Sequence, residues 1–380
     1  MMNQTEALNL LLKMLAIPTV NGDLQEENLA KFICKVFHNY GVNSKIEPVS
    51  PGIANVSAEI AGCDSGHVIA VNGHLDTVPF GDITKWNTDP SVPHIQNGCV
   101  FARGASDMKS GLAAIVVAMC DISAKEELPR RTLRFLGTAG EEKDGIGAIS
   151  ACQSGWPGIP DLLIIGEPTN GNLGIAQKGC LWLKCSIKGK TSHAAYPSSG
   201  INAIEIGFDI YSNIKKFVSR FSHFLLGNAT ATITKIFGGI VPNMVPDYCE
   251  ILMDIRTIPS LLIDAILDEA DRIKLEYEKK YTGLSVEFEI INKRQHIETN
   301  TDDLEVVKIR NAIKKITGEN PLDIGINYFT DASIFIEEIP NIPIVLLGPG
   351  QQELAHQPNE WVGIDDYLKM IEIYKEILKN

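Results

Sequence analysis

The chain has 380 residues, of which 44% are hydrophobic and 21% are charged, and its mean hydropathy is +0.03. These values are typical of a globular protein and exclude a fibrous or intrinsically disordered one, and the length favours two domains. The formal net charge of -13 argues against nucleic acid or an anionic membrane surface as a partner.

The sequence contains no segment that resembles a membrane span or a secretory signal. The longest uninterrupted apolar run, residues 112–120, is far shorter than the about 20 residues that cross a bilayer. The N-terminal segment carries Glu6 and Lys13 within its apolar pattern, which predicts an amphipathic helix rather than a signal peptide. The eight cysteines form no C-x-x-C pair and are expected to be reduced thiols. We therefore expect a cytoplasmic protein.

The first part of the chain alternates between helical and strand patterns. Apolar residues recur at helical spacing over 8–15 and 29–40, and Gly41 follows as a helix stop. The helical segments "KSGLAAIVVAMCDISAKEE" and "GIGAISACQS" lie between apolar runs that predict strands at 55–60, 67–72, 132–138 and 161–166. This alternation predicts an α/β fold with a largely parallel sheet that is covered on both faces.

From about residue 178 the pattern changes to half-buried strands with helices near 201–219 and 260–279. This predicts a separate α+β domain with a sheet exposed on one side. After residue 293 the α/β pattern resumes, with the buried strand "IPIVLL" and a final helix from 364. We expect one α/β domain, residues 1–177 and 293–380, interrupted by a smaller domain, residues 178–292.

Histidine and acidic residues follow the predicted strands of the α/β domain. The segment "HVIAVNGHLDTVPFGD" ends with His74 and Asp76, whose side chains project to the same side of an extended chain. This geometry suits a metal-binding histidine held by an acid, although a solvated turn is the commoner origin of a lone His-x-Asp. The other strand ends carry Asp107, Glu141, Glu142, Glu167 and His356.

Each of these residues alone could be solvated, but together they favour a metal site, because ligands of α/β proteins collect beyond the carboxyl ends of strands. Nitrogen and oxygen donors suit zinc, with cobalt or manganese as substitutes, and the number of donors favours two ions. Neighbouring Glu141 and Glu142 point different ways in an extended or turn segment. One can bind metal while the other serves as a general base.

Six segments, in this order and spacing, resemble the family of acetylornithine deacetylase and succinyl-diaminopimelate desuccinylase, to which aminoacylase and carboxypeptidase G are related. The resemblance covers nearly the whole chain and implies a zinc-exopeptidase-like α/β domain with an inserted lid and dimerisation domain. The segments are "GHLDTVP", "ARGASDMKSG", "GTAGEEKDGIGA", "GEPT", "GKTSHAAYP" and "AHQPNE".

The resemblance implies a role for each residue at the strand ends. One zinc would be bound by His74 and Glu167, the other by Glu142 and His356, and Asp107 would bridge them. Asp76 would orient His74, and Glu141 would be the general base and acid. The resemblance also implies a cis peptide bond between Asp107 and Met108.

Within the inserted domain, the resemblance implies that His193 stabilises an oxyanion in the neighbouring subunit of a homodimer. Asn243 and Arg256 match positions that hold the substrate, and Arg256 suits a bidentate contact with a carboxylate. A structural ion pair within the lid is the alternative for Arg256.

The sequence therefore predicts a hydrolase of N-acyl amino acids, with a small-molecule substrate and two zinc ions. A di- or tripeptidase of the same family is the first alternative. The segment "QKGCLWL", at the first strand of the inserted domain, lacks the paired arginines that the desuccinylases show just before this strand. A non-catalytic metal-binding or scaffold protein on the same fold is the second alternative. Glu141 favours an enzyme, because such a protein has no need of an unligated base.

Overall fold

The computed structural model describes residues 1–23, 25–125 and 128–380. In chain order the helices are α1 (Gln4–Ala16), α2 (Glu26–Asn39), α3 (Lys109–Ser123), α4 (Ile146–Gln153), α5 (Ala203–Val218), α6 (Ile263–Lys280), α7 (Leu304–Thr317), α8 (Ala332–Glu338) and α9 (Ile364–Leu378). Short 3₁₀ turns lie at Ile83–Lys85, Pro197–Ser199 and Gln352–Leu354.

The strands are β1 (Asn43–Ser50), β2 (Ile53–Ile60), β3 (Asp64–His74), β4 (His94–Gln96), β5 (Cys99–Phe101), β6 (Arg131–Thr138), β7 (Leu162–Ile165), β8 (Leu173–Gln177), β9 (Gly179–Lys188), β10 (Ser222–His223), β11 (Gly227–Asn228), β12 (Thr230–Gly238), β13 (Tyr248–Thr257), β14 (Ser285–Arg294), β15 (Ile297–Glu298), β16 (Asp323–Ile326), β17 (Ile344–Leu346) and β18 (Trp361–Gly363). The presence of both helices and strands, alternating along the chain, confirms the predicted α/β class.

The chain divides into two compact units. The first unit comprises Met1–Ile175, Thr299–Ile324 and Thr330–Asn380, and the second comprises Ala176–Glu298 and Gly325–Phe329. Among the described residues, no helix has both the length and the apolar character needed to span a bilayer.

The main sheet of the first unit runs in the order β1-β2-β6-β3-β7-β17-β8. Strands β6, β3, β7 and β17 are parallel neighbours, whereas β1, β2 and β6 pair antiparallel. Helix α3 is buried from Lys109 to Ile122, as expected for a helix enclosed by other elements. The parallel strands place their carboxyl ends at one edge, and the loops that follow them meet there.

The second unit contains an antiparallel sheet in the order β12-β13-β9-β14. Burial alternates along β13, so one face of the sheet contacts a core and the other does not. Leu183 and Ile255 of the sheet belong to the same buried cluster as Ile210 of α5 and Ile273 of α6. Strand β12 lies at an edge of this sheet, where Ile236 and Phe237 are exposed.

Candidate metal centre

The structure brings the predicted metal ligands of the first unit together. His74 ends β3, Asp107 immediately precedes Met108, the N-cap of α3, and the remaining ligands follow β6, β7 and β17. A Cβ atom on Gly111 would lie 1.9 Å from the carbonyl oxygen of Gly166. Only glycine therefore allows α3 to approach the end of β7 this closely, which brings the loops of Asp107 and Glu167 together.

Asp107 lies between the two histidines. Its Oδ1 atom is 3.2 Å from His74 Nε2, and its Oδ2 atom is 3.5 Å from His356 Nε2. Each oxygen of one carboxylate thus faces a different imidazole. This is the arrangement expected of a carboxylate that two cations share.

Each histidine has a further carboxylate beside it. Glu167 Oε1 lies 3.9 Å from His74 Nε2, and Glu142 Oε2 lies 2.9 Å from His356 Nε2. Donor atoms of His74, Asp107 and Glu142 all lie within 4.8 Å of one another. The cluster thus has two halves, one around His74 and one around His356. They differ in exposure, since the side chain of His74 is 1% exposed and that of His356 is 52% exposed.

The electrostatics of the cluster favour added positive charge. Burial, together with neighbouring carboxylates, raises the pKa of Glu141 and of Glu167 well above its usual value, although His74 lowers both. Burial also raises the pKa of Glu142. Burial alone would raise the pKa of Asp107, but the hydrogen bond with His74 and the positive charges of His74, His356 and Arg103 together lower it. Divalent cations would neutralise these carboxylates, and the mixed oxygen and nitrogen donors fit a transition metal such as zinc.

His74 is held by the main chain of Asp76. His74 Nδ1 lies 3.0 Å from the Asp76 carbonyl oxygen, and because a carbonyl only accepts, Nδ1 carries the proton. The pKa of His74 is raised despite burial, because Asp107 and other carboxylates favour its charged form. A cation at Nε2 would replace the second proton of that charged form.

The Asp76 carboxylate has a different contact from the one expected. It lies 3.7 Å from His74 Nδ1, which is beyond hydrogen-bond distance. Instead it accepts hydrogen bonds from the main-chain nitrogens of Glu141 and Glu142, both at 3.1 Å, and from Asn21 Nδ2 at 3.0 Å. The main chain of Asp76 therefore orients the imidazole, while its side chain holds the turn that carries both glutamates.

The predicted residues of the second unit fall into two groups. His193 and Asn243 lie on adjacent segments, since Ala194 N donates to Asn243 O at 3.0 Å. His193 is exposed, and its Nδ1 accepts a hydrogen bond from Ala195 N at 3.0 Å. The proton of the neutral ring is therefore on Nε2, which leaves an N–H donor available.

Arg256 is engaged within its own strand. Its guanidinium forms a bidentate pair with Asp254, at 2.7 and 3.0 Å, and lies over the ring of Phe329, 5.5 Å from its centroid. The contact with Asp254 is the structural ion pair that the sequence offered as the alternative. Any substrate carboxylate would have to share or replace it.

Sequence reasoning gave no role to three buried charged residues near the centre. Lys109 Nζ donates to Ile17 O at 2.8 Å, and burial lowers its pKa to about 7. Asp331 is buried and contributes to the raised pKa values of Glu141 and Glu167. Glu360 accepts a hydrogen bond from Asp107 N at 2.9 Å. Glu360 and Lys109 had a signal, because they lie in the segments "AHQPNE" and "ARGASDMKSG", whereas Asp331 lies in none of the six segments.

The peptide bond between Asp107 and Met108 is cis, which confirms the expectation from the resemblance. A second cis bond joins Trp156 to Pro157.

A cluster of this composition at the strand ends of an α/β unit defines a metallohydrolase-like centre. The chain belongs to peptidase family M20/M25/M40, whose model matches residues 70–380. This confirms the resemblance on which the site assignments depend.

Individual relatives cover nearly the whole chain. A probable succinyl-diaminopimelate desuccinylase of Staphylococcus epidermidis is 28% identical over 405 aligned positions, covering 100% of this chain and 98% of the relative. The fold is similar to that of aminopeptidase PepT from Bacillus cereus, with a TM-score of 0.83, 21% identity and coverage of 99% and 98% of the two chains. It is also similar to the YXEP protein of Bacillus subtilis, a dinuclear metal binding peptidase, with a TM-score of 0.78, 18% identity and coverage of 99% and 97%.

Proposed function

We propose that this member of the M20 family is a dizinc hydrolase that cleaves the amide bond of N-acyl amino acids. The observation that carries the proposal is the Asp107 carboxylate, which presents one oxygen to His74 and the other to His356. The resemblance to acetylornithine deacetylase and the desuccinylase relative support this substrate class. A small-molecule substrate also agrees with the net charge of -13, which disfavours nucleic acid.

The ligand assignments follow the two halves of the cluster. His74 and Glu167 would bind one zinc, Glu142 and His356 the other, and Asp107 would contact both. When bound, the ions would polarise the substrate carbonyl and lower the pKa of water towards neutrality. Cobalt or manganese are expected substitutes.

Glu141 would transfer the proton in the reaction. Its carboxylate would accept a proton from the attacking water as the new C–O bond forms, and would donate it to the leaving nitrogen as the C–N bond breaks. Its raised pKa suits a group that must both accept and release a proton near neutral pH. The Nε2–H group of His193 would donate a hydrogen bond to the developing oxyanion.

The second unit would supply substrate recognition and the subunit contact. We assign substrate contacts to Asn243 and Arg256, and we place His193 in the active site of the neighbouring subunit of a cytoplasmic homodimer. The outer side of edge strand β12, where Ile236 and Phe237 are exposed, is a surface that a second copy could cover. On this proposal, residues 178–292 act as a lid.

A di- or tripeptidase is the second candidate, and the similarity to the fold of aminopeptidase PepT favours it. The segment "QKGCLWL" also lacks the paired arginines that the desuccinylases show just before the corresponding strand, β9 in this fold. A hydrolysis panel separates the candidates: N-acetyl-ornithine, N-succinyl-diaminopimelate, other N-acyl amino acids, and di- and tripeptides with free amino termini. A kcat/KM that is highest for an N-acyl amino acid supports the first candidate, and one that is highest for a peptide supports the second.

A further inference from the structure

Arg103 and Glu360 form an ion pair beneath the candidate metal centre. Arg103 Nη1 lies 2.7 Å from Glu360 Oε2, and the two side chains are 3% and 0% exposed. A buried ion pair recovers its desolvation cost only when further hydrogen bonds satisfy both partners. The remaining bonds of this pair therefore show what it holds in place.

The Glu360 carboxylate holds the loop that carries Asp107. Its Oε1 accepts hydrogen bonds from Ser106 N at 2.8 Å and Asp107 N at 2.9 Å, and its Oε2 accepts one from Gly104 N at 3.1 Å. Three main-chain N–H groups of one loop thus converge on one carboxylate. These bonds define the position of the main chain at Asp107.

The Arg103 guanidinium holds the loop that carries His356. It donates to the carbonyl oxygens of Gln357 at 3.3 Å and His356 at 3.5 Å, and to Pro79 O at 3.3 Å. It also lies over the ring of Trp86, 5.1 Å from the centroid. His356 has a φ of 65°, a left-handed conformation that is strained for a non-glycine residue and persists where surrounding contacts hold it.

We propose that the Arg103–Glu360 pair is a positioning device that sets the spacing between Asp107 and His356, so that both side chains bind the same cation. One end of the pair holds the main chain of Asp107 and the other holds the main chain of His356. The proposal rests on the proposed metal centre and adds residues that touch neither metal nor substrate. Replacing residues that hold metal ligands in place without touching the metal typically weakens metal affinity by about 10–100-fold.

Glu360→Gln is the principal test, because the side chain keeps its shape but loses its charge. Its amide nitrogen would confront an N–H donor at one of the two oxygen positions. The matched control is Glu305→Gln in the first unit. It breaks another ion pair that is largely but not fully buried, with Arg131 Nη1 2.8 Å from Glu305 Oε2 and side chains 8% and 12% exposed, and within the described part of the chain neither residue contacts the metal cluster.

The metal-free full-length variants are titrated with cobalt(II), and binding is followed by metal analysis and by the visible cobalt spectrum. For Glu360→Gln we expect about a 10–100-fold weaker affinity for at least one ion and an altered spectrum. Glu305→Gln should bind cobalt as the wild type does, even if it unfolds at a lower temperature. Arg103→Lys, which keeps the charge but loses the forked donors, should weaken cobalt binding in the same way.

The outcomes separate the two claims. Wild-type cobalt affinity and spectrum in both Glu360→Gln and Arg103→Lys would overturn the positioning proposal and leave the proposed function standing. A wild-type protein that binds no cobalt would overturn the metal centre itself, and the positioning proposal with it. If Glu360→Gln does not fold, Arg103→Lys decides between these outcomes.

Discussion

The main-chain nitrogen of Glu141 donates a hydrogen bond to the Asp76 carboxylate at 3.1 Å. The next nitrogen, that of Glu142, donates to the other oxygen of the same carboxylate, also at 3.1 Å. One side chain therefore fixes the turn from which the proposed base and a proposed metal ligand diverge. Because the turn is fixed, Glu141 and Glu142 keep different side-chain directions, and each can keep its own proposed role.

Asp76→Asn should impair both roles at once. The new amide group replaces one acceptor with a donor, so one of the two main-chain bonds is lost. We expect kcat to fall by about 10–100-fold and the protein to retain less metal after dialysis. Asp161→Asn is the control. Asp161 also accepts a main-chain hydrogen bond, from Val68 N at 2.8 Å. It lies just before β7, however, at the edge of the sheet where the parallel strands begin rather than end. Equal activity and metal content in the two variants would contradict the role of Asp76.

Glu141→Ala and Glu142→Ala should differ in kind. The first removes the proposed base, so kcat should fall by about 10²–10⁴-fold with the metal content nearly unchanged. The second removes a proposed ligand, so the metal content itself should fall. Metal analysis beside steady-state kinetics distinguishes them, and the reverse pattern would mean that the two roles are exchanged.

The metal-free protein should lose stability through Glu167 as pH rises. The pKa of Glu167 is raised in the fold, so above pH about 4 the folded state holds a proton that the unfolded chain has lost. Removing that proton costs stability, and Glu167→Gln has no such proton to lose. Metal-free Glu167→Gln should therefore become progressively more stable relative to the wild type as pH rises above about 5.

Urea unfolding measures the difference in the free energy of unfolding between metal-free Glu167→Gln and the metal-free wild type at each pH. Titrating groups far from Glu167 contribute equally to both proteins, so their contributions cancel in this difference. With zinc added, its sign should reverse, because the wild type gains a ligand that the variant lacks. A metal-free difference that is constant or falls with pH would contradict the raised pKa of Glu167.

Subunit exchange tests the proposed position of His193. Glu141→Ala and His193→Ala homodimers should each be nearly inactive. A mixed dimer should contain one site with an intact Glu141 and an intact His193 of the partner subunit. Random exchange makes about half of the dimers mixed, each with one working site of two, so activity should recover to about a quarter of the wild-type value. A mixture confirmed as heterodimer by mass spectrometry, but no more active than the separate variants, would exclude a shared site.

Periodicity predicted the regular elements well. The helices expected at 201–219 and 260–279 are Ala203–Val218 and Ile263–Lys280 in the structure, and the final helix begins at Ile364 as expected. Strand β4, at His94–Gln96, was not predicted, because all of it is exposed and it shows no apolar alternation.

The candidate ligands were also accessible to sequence reasoning, because His74, Glu142, Glu167 and His356 end or follow parallel strands that finish at the same edge of the sheet, and Asp107 comes just before α3. The Arg103–Glu360 pair was not, since its partners are 257 positions apart and nothing local indicates which arginine meets which acid. The carboxylate of Asp76 was assigned to His74 from their spacing. The fold turns it towards the main chain of Glu141 instead, and only tertiary structure specifies that direction.

Removal and return of the metal tests the central claim most directly. The wild-type protein is dialysed against a chelator until analysis finds no transition metal, and hydrolysis of the best N-acyl amino acid or peptide is measured before and after zinc or cobalt is returned. We predict that the metal-free protein is inactive and that activity returns as the protein takes up two ions per chain, because both halves of the centre meet at Asp107. Full hydrolysis by protein proven to be free of transition metal would contradict the account.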